Sequence, residues 1–209
     1  GSEMCIRDRK YPLLISLTDE YDYTFKKEKL KKLKQYSEFN LIGMGGSILG
    51  AEAIYDFLNH KIKKKFFFLN NLQNRKILKS KNKRLNLIIS KSGNTLETNS
   101  NLNLILTKQI KNHNLIITEN KKNILSKISH KLKADIIEHK NYIGGRYSVL
   151  SEVGMIPAEL MGLKEKKFKR LNYLAKNKKF MNDLVLNVSS IYSNTVSYTH
   201  LRAHETFHD

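Results

Sequence analysis

Cysteine is nearly missing from this 209-residue sequence, which contains only Cys5. A single cysteine cannot form an internal disulfide, so a disulfide-stabilised scaffold is excluded and a reducing compartment is indicated. Long apolar runs are missing too, because none approaches the roughly 18–20 residues that a membrane-spanning helix needs. The first residues also lack the charged, apolar and small-residue order of a signal peptide. We therefore expect a cytoplasmic protein with no membrane contact.

Acidic residues are scarce: 19 Asp and Glu stand against 38 Lys and Arg, for a formal net charge of +19. In a nucleic-acid-binding protein, basic residues gather on one surface and alternate with stacking aromatics. Here the lysine runs are spread along the chain. In residues 26–34, Leu30 and Leu33 are three apart, so the lysines around them form the solvated face of a helix. We predict no nucleic-acid partner, although the charge would steer a small phosphorylated ligand toward the protein.

Five short apolar runs alternate with helical patterns along the chain. These runs are the predicted strands, at residues 39–44, 66–69, 85–90, 114–118 and 134–139. They are continuous and β-rich, as strands buried on both faces of a parallel sheet are. The alternation predicts an α/β protein with a doubly wound, five-stranded parallel sheet. A flavodoxin-like strand order, 2-1-3-4-5, would place the first and third strands side by side.

Extra helices are predicted after the sheet. Residues 149–162 have a helical pattern, and Pro157 is expected to kink or restart that helix. Glu152 and Glu159 are expected to cap or solvate it. Lysine-rich helices then run from about residue 165 to residue 191 with no strand after them.

Two polar loops follow the first and third predicted strands. They are "GMGGSILG", residues 43–50, and "SKSGNTLET", residues 90–98. In the predicted strand order both loops border one crevice at the carboxyl ends of the strands. Glycines let a ligand approach the backbone, and a helix start near Thr95 offers free N–H groups and a positive dipole end. Together with the hydroxyl groups, these features suit a phosphate monoester; the hydroxyl donors are Ser47, Ser90, Ser92 and Thr95.

Each of these loops taken alone is equally typical of a glycine turn with a serine helix cap. The first loop lacks the third glycine of the dinucleotide fingerprint, and no Walker lysine pattern occurs, so no cofactor is predicted. A third loop, "IGGRYSVLSEVG" at residues 143–154, adds Gly145 and Arg146. This arginine could bind phosphate, stabilise an oxyanion, or lie on the surface of a glycine turn.

The three loops, in this order and at these separations, resemble the phosphoglucose isomerase family over about residues 10–181. The amino-terminal half of that family is a sugar isomerase (SIS) domain. Any SIS domain can carry the first two loops, whereas "GGRYS" followed by "VGMIPAELMG" is far more specific. The resemblance implies reversible isomerisation of glucose 6-phosphate and fructose 6-phosphate without a cofactor.

The resemblance also implies roles for individual residues. Gly145 and Arg146 would lie beside the first two carbons of the sugar, where Arg146 would stabilise the enediol intermediate. The sugar phosphate would be held by Ser47, Ser90, Ser92 and Thr95 and by the backbone amides of Lys91 and Ser92. The family's glutamate, histidine and lysine lie beyond "GGRYS", and nothing after Met181 resembles them. We therefore expect a chain that binds a phosphosugar without the catalytic base, and a homodimer for the full-length protein.

The expected domain boundaries follow from the extent of the resemblance. Residues 10–163 form the SIS domain, and residues 164–195 begin a second subdomain. Residues 1–9 and 196–209 are expected to be non-native tails. The second tail contains H-E-x-x-H at residues 204–208, a zinc peptidase pattern, with His200 one turn earlier. Without a supporting domain and a further ligand, we predict no metal site there.

Two other functions fit the same residues. A free-standing SIS domain could sense a phosphosugar as a regulatory module, although "GGRYS" and the lack of a helix-turn-helix before the domain argue against it. A bifunctional phosphoglucose/phosphomannose isomerase is separable only by comparing turnover of the two sugars.

Overall fold

The computed structural model describes residues 12–18, 20–72, 83–108, 112–171, 173 and 176–193. The chain forms two compact units, divided between Phe168 and Lys169. The two predicted tails lie outside the described residues, and with them Cys5 and the H-E-x-x-H motif.

The first unit contains a parallel five-stranded sheet. Its order is β2-β1-β3-β4-β5, which confirms the predicted flavodoxin-like arrangement and puts β1 beside β3. The strands are short, as the apolar runs predict; they are β1 (Glu38–Ile42), β2 (Lys65–Leu69), β3 (Arg84–Ile89), β4 (His113–Thr118) and β5 (Asp135–Glu138).

Helices connect and follow these strands. No helix among the described residues is long and apolar enough to cross a membrane. Short 3-10 turns occur at Pro12–Leu17, Gly45–Ser47, Asn59–Lys61, Gly145–Tyr147 and Glu165–Leu171. The α-helices are α1 (Lys27–Leu33), α2 (Leu49–Phe57), α3 (Leu96–Lys108), α4 (Ile124–Leu132), α5 (Glu152–Leu160) and α6 (Lys178–Tyr192).

Both faces of the sheet are covered, because alternate residues of each central strand point to opposite sides. On one face, Leu41 and Leu87 pack in a cluster that also contains residues of α1, α2 and α5. On the other face, Ile42 and Ile88 pack with residues of α3 and α4. The three central strands are thereby buried on both faces, as in a doubly wound architecture.

Three asparagines interrupt the apolar strands in the middle of the sheet. Asn40, Asn86 and Asn114 are at most 4% exposed and lie in register on β1, β3 and β4. The Asn40 side-chain amide donates to Asn86 Oδ1 at 2.8 Å, and the Asn86 amide donates to Asn114 Oδ1 at 2.8 Å. The amide of Asn114 then donates to the carbonyl oxygen of Asn112 at 3.2 Å. We call this chain of side-chain bonds the asparagine ladder.

The helix α5 begins later than predicted and is continuous through Pro157. It begins at Glu152 instead of residue 149, because Ser151 caps it and its hydroxyl accepts a hydrogen bond from the Val153 N–H. It also runs through Pro157 without a restart. The helix continues because Pro157 lacks only its own N–H, while its carbonyl still accepts from the Met161 N–H at 2.8 Å.

The acidic residues of α5 are buried, so the expectation that they solvate the helix is wrong. Glu152 is 1% exposed and Glu159 is 7% exposed. Glu159 accepts a charged hydrogen bond from Lys34 at 2.7 Å and another from the Glu165 N–H at 3.2 Å. Both carboxylates are therefore parts of the packed structure.

The second unit contains α6, whose first turn is capped by the Asn177 side chain accepting from the Phe180 N–H at 3.1 Å. None of the residues of α6 is buried.

Candidate functional site

The first loop leaves β1 at Gly43 and makes a single 3-10 turn before α2 begins. The Ser47 N–H closes this turn by donating to the Met44 carbonyl at 3.2 Å. The side chain of Ser47 is half-buried, and among the described residues its hydroxyl has no hydrogen-bond partner. Gly43 lies against β3, since a Cβ built on it would be 3.1 Å from the Ile89 carbonyl oxygen. The loop therefore begins at the β1–β3 junction, as predicted.

The second loop is folded around the hydroxyl of Ser90, which is 2% exposed. This hydroxyl accepts from the Gly93 N–H at 3.1 Å and lies 2.9 Å from Thr95 Oγ1. The more exposed Ser92 accepts from the Asn94 N–H at 3.2 Å. No described group accepts a hydrogen bond from the backbone N–H of Lys91 or Ser92. Two adjacent N–H groups and the Ser92 and Thr95 hydroxyls are thus the polar groups this loop can offer an anion.

The start of α4 holds the second loop in place, which sequence reasoning missed. Gly93 has a φ of +65°, and a Cβ built there would be 2.2 Å from Asn123 Oδ1. Only glycine fits both the left-handed conformation and this close approach. The Asn94 side chain accepts from the Ile124 N–H at 3.0 Å, and the Gly93 carbonyl accepts from the Leu125 N–H at 3.2 Å.

The third loop lies directly on the first. A Cβ built on Gly46 would be 2.2 Å from both the carbonyl carbon and the carbonyl oxygen of Gly145, and 2.8 Å from the Arg146 nitrogen. The hydroxyl of Ser148, which is fully buried, lies 3.2 Å from the Gly46 carbonyl oxygen and 2.6 Å from that of Gly145. Backbone contact between two glycines therefore brings "GGRYS" to the carboxyl end of β1.

Arg146 is exposed, and it has no hydrogen bond or ion pair with any described residue. Its guanidinium group is therefore available to a ligand.

The side chain of Lys91 connects the second loop to the segment before the third, because its ammonium group donates to the Asn141 carbonyl at 2.6 Å. The same ammonium lies 3.6 Å from Glu119. Beside Asn141, a cavity of about 300 Å³ is lined by residues 119–121 and 138–142.

Thr98 is a further candidate that sequence reasoning missed. It lies in the first turn of α3, is 1% exposed, and its Oγ1 has no hydrogen-bond partner among the described residues. A buried hydroxyl without a partner is costly, so a ligand or water is expected to satisfy it. The signal in the sequence was its spacing, because Thr95 and Thr98 are three residues apart and share a helix face.

The burial of His139, which follows β5, should make the free energy of unfolding depend on pH. Burial lowers the pKa of His139, whose exposure is 2%. The unfolded chain then binds a proton more readily than the folded protein below about pH 6.5, so the free energy of unfolding should fall as the pH drops through the lowered pKa. Urea denaturation between about pH 7.5 and about pH 5 measures this. His139→Asn should flatten the profile. A profile unchanged by this substitution would contradict the assignment.

No cluster of histidine, cysteine and acidic side chains that could hold a metal ion occurs in the part of the chain that the structure describes. The groups of the three loops that have no protein partner within the described ranges include the Ser47 hydroxyl, the backbone N–H groups of Lys91 and Ser92, and the Arg146 guanidinium. All of them can donate hydrogen bonds to an anion.

Comparison with known proteins matches this chain to one family model and to curated relatives that share a name. The sequence model of the family described as phosphoglucose isomerase matches residues 23–183. The chain is 36% identical over 147 residues to glucose-6-phosphate isomerase of Methanocaldococcus jannaschii, covering 65% of this chain and 36% of that protein. It is 31% identical over 169 residues to glucose-6-phosphate isomerase of Mycoplasma genitalium, covering 74% and 38%. The chain therefore spans less than two fifths of the length of these relatives.

Solved structures share the fold at lower identity. A hypothetical protein from Thermus thermophilus superposes with a TM-score of 0.67 at 22% identity, covering 88% of this chain and 51% of that one. A tagatose-6-phosphate ketose/aldose isomerase from Escherichia coli superposes with a TM-score of 0.56 at 14% identity, covering 79% and 47%. These likenesses support the α/β fold described above.

Proposed function

Because this chain belongs to the phosphoglucose isomerase family, we propose that it is the phosphosugar-binding part of a glucose-6-phosphate isomerase. The full-length enzyme would interconvert glucose 6-phosphate and fructose 6-phosphate in the cytoplasm, without a cofactor and as a homodimer. We place the SIS domain at residues 10–163 and the start of a second subdomain at residues 164–195.

The observation that carries this proposal is the contact between Gly46 and Gly145. Through this contact the third loop, which carries Arg146, lies against the first loop, which follows β1. A phosphate group in the crevice would accept hydrogen bonds from the N–H groups of Lys91 and Ser92. The hydroxyls of Ser47, Ser92, Thr95 and Thr98 belong to the segments that follow β1 and β3, and Ser90 shapes the second of these loops.

Arg146 would act at the other end of the sugar. Aldose–ketose isomerisation passes through an enediol that carries negative charge on oxygen, and a guanidinium group stabilises such a charge with planar donors. The reaction also needs a base that moves a proton between the first two carbons. Glu152 and Glu159 are buried and bonded within the fold. We therefore assign the base to neither, and expect this chain alone to bind the sugar without turning it over.

Isothermal titration with fructose 6-phosphate tests the proposal, with free fructose and inorganic phosphate as controls. We expect saturable binding that needs both sugar and phosphate. Thr95→Ala and Arg146→Ala should each weaken it by roughly tenfold or more, since a lost charge-assisted hydrogen bond is worth about 1.5–3 kcal/mol. Ser37→Ala is the matched control, because Ser37 is exposed at the opposite end of β1. Folded protein that binds none of the three ligands would contradict the proposal.

A further inference from the structure

An N-terminal segment crosses the base of the loop that carries Arg146. We call residues 21–25 the strap, and residues 139–151, which run from the end of β5 to the cap of α5, the arginine loop. The aromatic side chains of the strap pack on one another, with ring centroids 4.9 Å apart for Tyr21–Tyr23 and for Tyr23–Phe25. Tyr21 and Phe25 are buried.

The strap binds both ends of the arginine loop. At the β5 end, Thr24 Oγ1 donates to the Glu138 carbonyl at 2.9 Å, and the Lys140 ammonium donates to the Asp22 carbonyl. That ammonium also lies 4.2 Å from the centre of the Tyr21 ring. At the α5 end, the Tyr23 hydroxyl donates to the Leu150 carbonyl at 3.0 Å.

Glu152 receives most of the bonds at the α5 end. Its Oε2 accepts from the Tyr21 hydroxyl at 2.6 Å, and its Oε1 accepts from the Thr24 N–H at 2.9 Å. The Thr24 hydroxyl lies 3.2 Å from the same Oε1. A carboxylate that is 1% exposed is tolerated only when its oxygens are satisfied in this way. Both of its oxygens are therefore committed to the strap.

We propose that Glu152 is a positioning residue, which fastens the strap across both ends of the arginine loop and so fixes where Arg146 stands. The inference rests on the proposed function in one respect, namely that Arg146 contacts the sugar. The second loop is held mainly by the start of α4. Its bond to the arginine loop, from the Lys91 ammonium to the Asn141 carbonyl, involves neither Arg146 nor a backbone N–H of the second loop. Glu152 should therefore govern recognition of the sugar and leave recognition of phosphate unchanged.

We call this fastening of the arginine loop by Glu152 and the strap the clamp. Hydrogen exchange measured by mass spectrometry tests the clamp without any ligand. Glu152→Ala should speed exchange at least about tenfold in peptides covering the strap and the arginine loop, because the hydrogen bonds from the Tyr21 hydroxyl and the Thr24 N–H are both lost. Glu159→Gln, which alters the other buried carboxylate of α5, should leave both peptides unchanged. Tyr21→Phe removes one donor without removing the acid, and it should give a smaller effect in the same peptides. This variant carries the test if Glu152→Ala does not fold.

Ligand titration tests the positioning role. Glu152→Ala should weaken fructose 6-phosphate about tenfold and change inorganic phosphate by less than about twofold. Combined with Arg146→Ala it should add nothing, since both variants remove the same contact. Glu152→Gln should recover much of the affinity, because its oxygen can accept from Thr24 while its amide donates to the phenol oxygen of Tyr21.

The outcomes separate the two ideas. Faster exchange in the strap with an unchanged arginine loop would overturn the clamp, as would additive losses in the double variant. Wild-type protein that binds no fructose 6-phosphate would overturn the proposed function, and the exchange experiment would still decide the clamp.

Discussion

Gly46→Ala is expected to remove phosphosugar binding and to destabilise the fold. The added Cβ would lie 2.2 Å from two backbone atoms of Gly145, a distance that no rotation of a side chain can relieve. Either the first loop or the third must move. We expect a loss of about 1–3 kcal/mol in the free energy of unfolding, as overpacking of a tight contact typically costs. Titration with fructose 6-phosphate should show at least about a tenfold loss of affinity, since even a misplacement of one ångström weakens a positioned site.

A neighbouring glycine provides the matched control. A Cβ built on Gly144 would meet only Tyr147 Cδ2, at an ordinary contact distance of 3.7 Å. Its φ of −75° and ψ of 156° suit any residue. Gly144→Ala should therefore melt and bind like the wild type. If Gly46→Ala melts and binds in the same way as Gly144→Ala, the first and third loops do not touch in solution. The contact between Gly46 and Gly145 could then no longer support the proposed site.

The buried ion pair between Glu38 and Arg84 should give the other large effect. These residues are in register on β1 and β3, with 2.7 Å between Arg84 Nε and Glu38 Oε2. Their side chains are 11% and 5% exposed, and the Arg84 guanidinium also lies 4.3 Å from the centre of the Phe67 ring on β2. Glu38→Leu should cost about 3–5 kcal/mol, because it leaves the buried arginine without its counter-charge.

Two further variants separate charge from packing. Glu38→Leu combined with Arg84→Met should restore much of the lost stability, since a buried pair can be replaced by apolar side chains at little cost. Lys121→Met breaks the ion pair between Lys121 and Glu119. Because the Lys121 side chain is 68% exposed, this substitution should change the free energy of unfolding by less than about 1 kcal/mol. Urea denaturation measures all three. A loss for Glu38→Leu no larger than that for Lys121→Met would mean that the arginine does not depend on Glu38.

The sheet could be predicted from the sequence because its signal is local. Each strand contains a short, mainly apolar run, and runs of that kind are typical of a parallel sheet covered by helices on both faces. The predicted order of strands is that of flavodoxin-like folds, and it brings the loops after β1 and β3 together. The first two polar loops could be identified for the same reason, since each directly follows a strand, and the third begins a few residues after β5.

The contacts that arrange the site could not be predicted in this way. Glu152 meets Tyr21 across 131 residues of sequence, and nothing in either local pattern specifies that pair. A glutamate in an apolar helix was interpreted as exposed, which is the commoner outcome for an isolated carboxylate. The alternating aromatics of "YDYTF", residues 21–25, were a usable sign that this segment packs against something. The partner, however, is fixed only by the tertiary fold.

The asparagine ladder has a consequence for how the sheet chooses its alignment during folding. Because β1, β3 and β4 are apolar on both faces, a strand shifted by two residues would still bury hydrophobic side chains. Such a slip would separate Asn40, Asn86 and Asn114 and leave buried amides unpaired, at about 1–3 kcal/mol for each group. The native alignment is the one in which all three amides meet. The polar residues in the middle of the sheet thus discriminate against misaligned sheets that hydrophobicity alone would accept.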